Sequence, residues 1–136
     1  MSSISAIALS GLNAASRRLQ VSASNVANSQ TTGALPNADG TVPAGAPTAY
    51  TPLALVQTAS AGGGVQTSVT TVTPPTTAVF DPQASFANQD GLVAAPNVDL
   101  AQEFVGQLLA SYSFAANAAV LKADDRNTKA LIDITA

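Results

Sequence analysis

All eight prolines of this 136-residue chain lie between Pro36 and Pro96. A proline in a helix interior removes a hydrogen bond and clashes with the preceding turn. The chain therefore has a helix-permissive start, a broken middle and a helix-permissive end. This division predicts a mainly α fold with a small β part. The long N- and C-terminal helices pack as an antiparallel coiled coil, and the middle segment carries a β-hairpin and irregular loops. The expected units are 1-33, 34-96 and 97-136.

The first unit reads as a helix from Ser3 to Ala27. Leu12, Leu19 and Val26 recur every seven residues, with Ala8, Ala15 and Ser22 between them at steps of three and four. That is the spacing of a coiled-coil seam with small residues at one position. Ser2 or Ser3 is the expected N-cap. The run from Ser29 to Gly33 supplies turn residues that end the helix. Gly11 interrupts the pattern at about 1 kcal/mol relative to alanine, which implies a close backbone approach there.

The last unit reads as a helix from Val98 to Ile132, roughly 50 Å long. Asn97 is one candidate cap, and Asp99 with Gln102 is a second. Val105, Leu109, Tyr112, Ala116, Val120 and Ala123 follow steps of four and three, and Phe104, Leu108, Ala115 and Ala118 form a second row beside them. This apolar sector is too wide for one antiparallel partner, so other subunits are expected to cover part of it. In the middle unit, strands are expected within Thr48 to Ala59 and Val65 to Thr73, joined by a turn at Gly62-Gly63-Gly64. Pro52 places the first strand at an edge. Ala34 to Pro47 reads as an irregular loop.

Composition limits the chemistry. There is no His, Cys or Trp, which removes the commonest general base, the commonest metal ligands and all thiol chemistry. No catalytic, metal or cofactor site is expected, and no enzyme activity. Asp124-Asp125 beside Arg126 and Lys129 reads as helix ion pairing, because neighbouring helix positions do not converge. Asp81, Asp90 and Asp99 fit no calcium loop, and the glycine run lacks a following Lys-Ser/Thr. Five basic residues and a net charge of −3 are a poor footprint for nucleic acid. No unbroken apolar run long enough for a transmembrane helix is present, and the start has no basic n-region followed by an apolar stretch, so no cleaved signal is expected. Aromatics make up 4% of the chain, and its apolar share leans on alanine, which buries little area per residue.

Two stretches carry a resemblance. Ala8-Leu9-Ser10-Gly11-Leu12-Asn13-Ala14-Ala15, then Ser22-Ala23-Ser24-Asn25-Val26-Ala27-Asn28 and Thr31-Thr32-Gly33, resemble the N-terminal signature of flagellar basal-body rod and hook proteins. Asp90-Gly91-Leu92-Val93-Ala94-Ala95-Pro96-Asn97-Val98 resembles the box that precedes the last helix in that family's proximal rod subunits. Phe80-Asp81-Pro82, Ala110-Ser111-Tyr112 and Ala115-Ala116-Asn117 also fit. Leu92 stands where the box has Tyr, Ala115 stands where the family has Gln, and 34–49 matches little. The resemblance implies a subunit of the basal-body rod, exported through the flagellar type III apparatus, that polymerises through its terminal helices around a channel and transmits torque. It implies as partners further copies, other rod proteins, the neighbouring ring and hook-basal-body adaptor proteins, and the export apparatus.

The expected subunit-interface residues are Ala8, Gly11, Leu12, Ala15, Leu19, Asn25, Val26 and Asn28 on the first helix. On the last they are Phe104, Val105, Leu108, Leu109, Tyr112, Ala116 and Val120. Read from residues alone, Asn25 and Asn28 are an ordinary helix end. Read with the whole motif, they are a joint that contacts the next subunit. Arg17-Arg18 suits either a solvated face or an ion pair with another subunit. The alternative function is a secreted helical-hairpin adhesin or effector that shares the flagellar export route.

Overall fold

The computed structural model describes residues 3–135. Helix α1 spans Ser3–Ala27 and helix α2 spans Leu100–Thr135. Between them lie strands β1 (Leu53–Ala59), β2 (Val65–Thr71), β3 (Thr76–Phe80) and β4 (Leu92–Pro96). The helices run antiparallel. Ser5 hydrogen-bonds Asp124, Gly11 faces Asn117, and Ser22 Oγ accepts from Gln107 Nε2 at 3.1 Å. Position falls on one helix as it rises on the other, so the pairing keeps one register along the whole of α1.

The register is built on small side chains. Ala8, Ala15 and Ser22 are buried, as the seven-residue spacing requires, and Ala14 and Ala110 join them. Leu12 and Val26 are half-buried beside this row and Leu19 is exposed. Alanine and serine let the helix backbones come close, and the bulky residues are displaced to the flanks. Gly11 belongs to the same contact: a Cβ there would lie 2.4 Å from Asn117 Oδ1.

The caps differ in detail from expectation. Asp99 Oδ1 accepts from the backbone N–H of Ala101 at 2.9 Å and of Gln102 at 3.1 Å, so Asp99 is the N-cap of α2. Asn97 instead donates to the Pro74 carbonyl at 3.0 Å. Ser3 is the first residue of α1, and Ser2 lies outside the described residues. At its C-terminus α1 is closed by side chains: Asn28 Nδ2 donates to the Ser24 carbonyl at 2.9 Å and Ser29 Oγ to the Val26 carbonyl at 2.9 Å.

β1 and β2 form the expected antiparallel hairpin, with Leu53 opposite Thr71 and Ala59 opposite Val65. Its turn rests on α1. Gly63 and Gly64 have φ of 85° and 83°, which an L side chain rarely adopts. A Cβ on Gly64 would also meet Ser10 Oγ at 2.3 Å. Ser10 Oγ accepts from the Val65 backbone N–H at 3.1 Å, pinning the turn to the helix.

A second antiparallel pair, β3 with β4, goes beyond the single expected hairpin. Thr76 to Phe80 is rich in β-branched and aromatic residues, and the box from Asp90 to Pro96 supplies its partner. Val93 and Ala94 are fully buried. Gly33 and Ala94 exchange both backbone hydrogen bonds, at 3.0 and 2.9 Å, so the segment after α1 is tied to the strand before α2. Ala34 donates to the Pro47 carbonyl at 2.8 Å and Tyr50 to the Thr31 carbonyl at 3.0 Å. The residues between, 35–46, form the expected irregular loop.

Candidate assembly interface

Asn25 is the polar centre of the fold, only 1% exposed. Its Nδ2 donates to the Leu53 carbonyl at 2.8 Å and to Glu103 Oε1 at 2.6 Å. Its Oδ1 accepts from the Leu53 N–H at 2.9 Å and from the Tyr50 hydroxyl at 3.0 Å. All four bonding directions of the amide are filled, and reversing it would break the two to Leu53 and the one to Glu103. Because the Tyr50 proton goes to Asn25, the 3.0 Å contact between Tyr50 and Ser24 Oγ has Ser24 as donor. The amide grips both backbone groups of Leu53 as a neighbouring strand would. One side chain thus joins the end of α1, the start of β1 and the first turn of α2.

The same end of the helix pair holds Ser22, whose hydroxyl donates to the Glu103 carbonyl at 3.1 Å and accepts from Gln107. Among the described residues, no buried side-chain nitrogen or oxygen lacks a partner. Asn25 is therefore a joint within the chain. Asn28 is half-buried and also bonds within the chain, to Ser24.

The expected interface positions fall into three groups. Ala8, Ala15 and Asn25 are buried between elements of this chain. Gly11, Leu12, Val26 and Asn28 are half-buried at its margins. Leu19, Phe104, Val105, Leu108, Leu109, Tyr112, Ala116 and Val120 are exposed. The α2 row with the largest side chains therefore faces away from α1: Phe104 is 58% exposed, Leu109 50% and Tyr112 67%. Towards α1, helix α2 presents Glu103, Gln107, Ala110 and Asn117. From Leu100 to Leu121 its one charged residue is Glu103, held against Asn25, so the outward face is apolar and uncharged.

This face changes one expectation. Although it contains no unbroken apolar run, Leu100–Ile134 is long and apolar enough, by length and composition, to cross a membrane, and 6% of its most apolar window is buried in the chain. The structure thus leaves α2 with one face on α1 and the other exposed.

The charged residues have local duties. Arg18 donates to Gln57 Oε1 at 3.1 Å, while Arg17 is exposed. Lys129 pairs with Asp125 at 2.8 Å across one helical turn. The Asp81 carboxylate accepts from Gln83 N at 3.3 Å. Asp39 accepts from the hydroxyl and then the N–H of Thr41, which lowers its pKa below the ordinary carboxylate value. Among the described residues no group of acidic side chains could hold a metal ion.

Sequence reasoning missed Glu103, Tyr50 and Leu53 as the partners of Asn25. One signal was available for Glu103, as the lone charge in a long apolar stretch of helix. Leu53 acts through its backbone and leaves no such signal.

Two family models fall on the same two regions that the structure joins, and whole-length relatives extend the match to most of the chain. A family model for flagella basal body rod proteins matches residues 6–34, and one for the C-terminal part of flagellar basal body rod FlgEFG proteins matches residues 89–134. The flagellar basal-body rod protein FlgC of Yersinia enterocolitica is 38% identical over 119 residues, covering 85% of this chain and 83% of that protein. The protein of the same name from Salmonella typhimurium is 37% identical over the same shares. That of Escherichia coli O6:H1 is 36% identical.

Proposed function

This chain belongs to the flagellar basal-body rod protein family, and on that premise we propose that it is a structural subunit of the proximal rod, assembling through the outward face of α2. The observation that carries the proposal is that face. It exposes Phe104, Val105, Leu108, Leu109 and Tyr112 with no charge among them. An apolar surface of this extent marks an interaction site, and neighbouring subunits are its natural cover. The terminal units, 1-33 and 97-136, then form the assembling helix pair. The middle unit, 34-96, braces it through Asn25, Ser10 and Gly33. The work is mechanical, carrying torque along the axis around the export channel, and not catalytic.

The partners that follow are further copies, other rod proteins, the adjoining ring and adaptor proteins, and the type III export apparatus that delivers the chain without signal cleavage. A bilayer is a poorer cover for α2. Inserting the helix pair would carry Arg17 and Arg18, midway along α1, towards the membrane centre, where cations are expensive. A secreted adhesin or effector is also less favoured, because the relatives quoted above are all rod proteins.

The test is a strain lacking this chain. The proposal expects loss of swimming and no complete hook-basal bodies, with both restored by the wild-type chain. Normal motility with intact basal bodies would favour the secreted-hairpin reading.

A further inference from the structure

Helix α1 carries two rows, and they have different covers. Gly11, Ala15 and Ser22 face α2: Gly11 lies against Asn117, Ala15 borders Ala110, and Ser22 bonds Glu103 and Gln107. The second row is Ile7, Ser10, Ala14, Arg18, Val21 and Asn25, at steps of three and four that share one helix face. Its contacts are with the β1–β2 hairpin. A Cβ on Gly63 would lie 3.0 Å from Ile7 Cδ1. Ser10 accepts from Val65, Arg18 donates to Gln57, and Asn25 holds Leu53.

The hairpin is fastened mainly at its two ends. No residue of β1 or β2 is buried, and a groove of about 310 Å³ remains where Leu53 and Leu55 pass Arg18, Val21 and α2. The Arg18–Gln57 bond between the ends is exposed. The end fastenings are unequal. At one, the buried Asn25 amide takes both backbone groups of Leu53, next to buried Pro52. At the other, one Ser10 hydroxyl, which itself donates to the Ile7 carbonyl at 2.7 Å, takes the single N–H of Val65 beside the glycine turn.

Units with few buried contacts open locally, at a lower free energy than the whole fold. We propose that the β1–β2 hairpin is a strap, latched by Ser10 and hinged at Asn25, that lifts off α1 while the α1–α2 pair stays closed. Lifting uncovers Ala14, one turn from both Ser10 and Arg18, and leaves its neighbour Ala15 against α2. The two are almost equally buried when the strap is closed, at 4% and 5% exposed. The strap does not depend on the rod reading above.

The chain has no cysteine, so single thiols report each cover separately. In the full chain, Ala14→Cys is expected to react with a thiol reagent about tenfold faster than Ala15→Cys. Equal rates mean that hairpin and helix pair open together, and overturn the proposal. Adding Ser10→Ala is expected to raise the Ala14→Cys rate about fivefold, the factor that one net hydrogen bond represents, and to leave the Ala15→Cys rate unchanged. An unchanged Ala14→Cys rate, or an equal rise at both positions, overturns the latch. Amide exchange needs no substitution: the Val65 N–H is expected to exchange faster than the Leu53 N–H, since each ends on an α1 side chain. Equal rates or the reverse order overturn the hinge at Asn25.

Discussion

Leu109→Asp separates the stability of the chain from its assembly. Leu109 is 50% exposed in the free chain, so half its side chain is in water before any partner arrives. Fully burying a leucine contributes about 1.5–3 kcal/mol, so covering the remaining half in an assembly contributes about 1 kcal/mol. The aspartate loses that term and adds an unpaired carboxylate, whose burial costs about 3–5 kcal/mol by analogy with a broken buried ion pair. The total of about 4–6 kcal/mol lowers occupancy by roughly 10³ to 10⁴. In the free chain the carboxylate stays in water, and the loss there is about 1 kcal/mol. The assay is the amount of variant in purified hook-basal bodies, against co-expressed wild-type chain, with variant secreted into the medium as the control for export. The expected result is export without incorporation. Recovery at wild-type amounts would refute the assignment of this face to assembly.

Three further outcomes follow. Asn25→Ala strips both backbone groups of Leu53 of their partners, at about 2–4 kcal/mol. Cleavage of the hairpin by a protease is expected to speed up by roughly 30-fold or more, and an unchanged rate would show that the amide does not hold it. Gly33→Ala places a Cβ 2.2 Å from Ala49 N and 2.4 Å from the Thr48 carbonyl carbon. Backbone cannot yield as a flexible side chain does, so amide exchange at Ala94 should accelerate; retained protection would count against the close approach. Thr41→Val removes the hydroxyl that chiefly holds the Asp39 carboxyl low. Asp39 has a depressed folded-state pKa, so its contribution to the loop is present above the unfolded value and is lost as pH falls through the folded one. The variant should titrate closer to the ordinary value by NMR, and an unmoved titration would assign the shift elsewhere.

The helices were legible because their signals are local. Proline placement and apolar spacing give α1 from Ser3 to Ala27, and α2 begins within two residues of the expected start at Val98. The β1–β2 hairpin was legible for the same reason, through a glycine run followed by the alternation of Val65 to Thr73. The β3–β4 pair was not. Pro74-Pro75, Pro82 and Pro96 obscure short strands, and their order depends on the distant Gly33–Ala94 exchange. Periodicity also revealed the Val105-Leu109-Tyr112 row without saying which way it points. That was decided by α1, whose facing row of Ala8, Ala15 and Ser22 accepts small and polar partners at close range and leaves the bulky row outside. The bonds of Asn25 join residues 28 and 78 positions away, and no local pattern encodes such pairings.

The outward face of α2 is proposed above as the assembly surface of a rod subunit. It is tested most directly by density from purified basal bodies in which this chain is traced. The expected density shows the α1–α2 pair within the rod, with Phe104, Leu108, Leu109 and Tyr112 each buried against protein of a neighbouring subunit. Density in which the chain lies in the rod but this face opens onto solvent, with subunits joined instead through β1–β4, would contradict it.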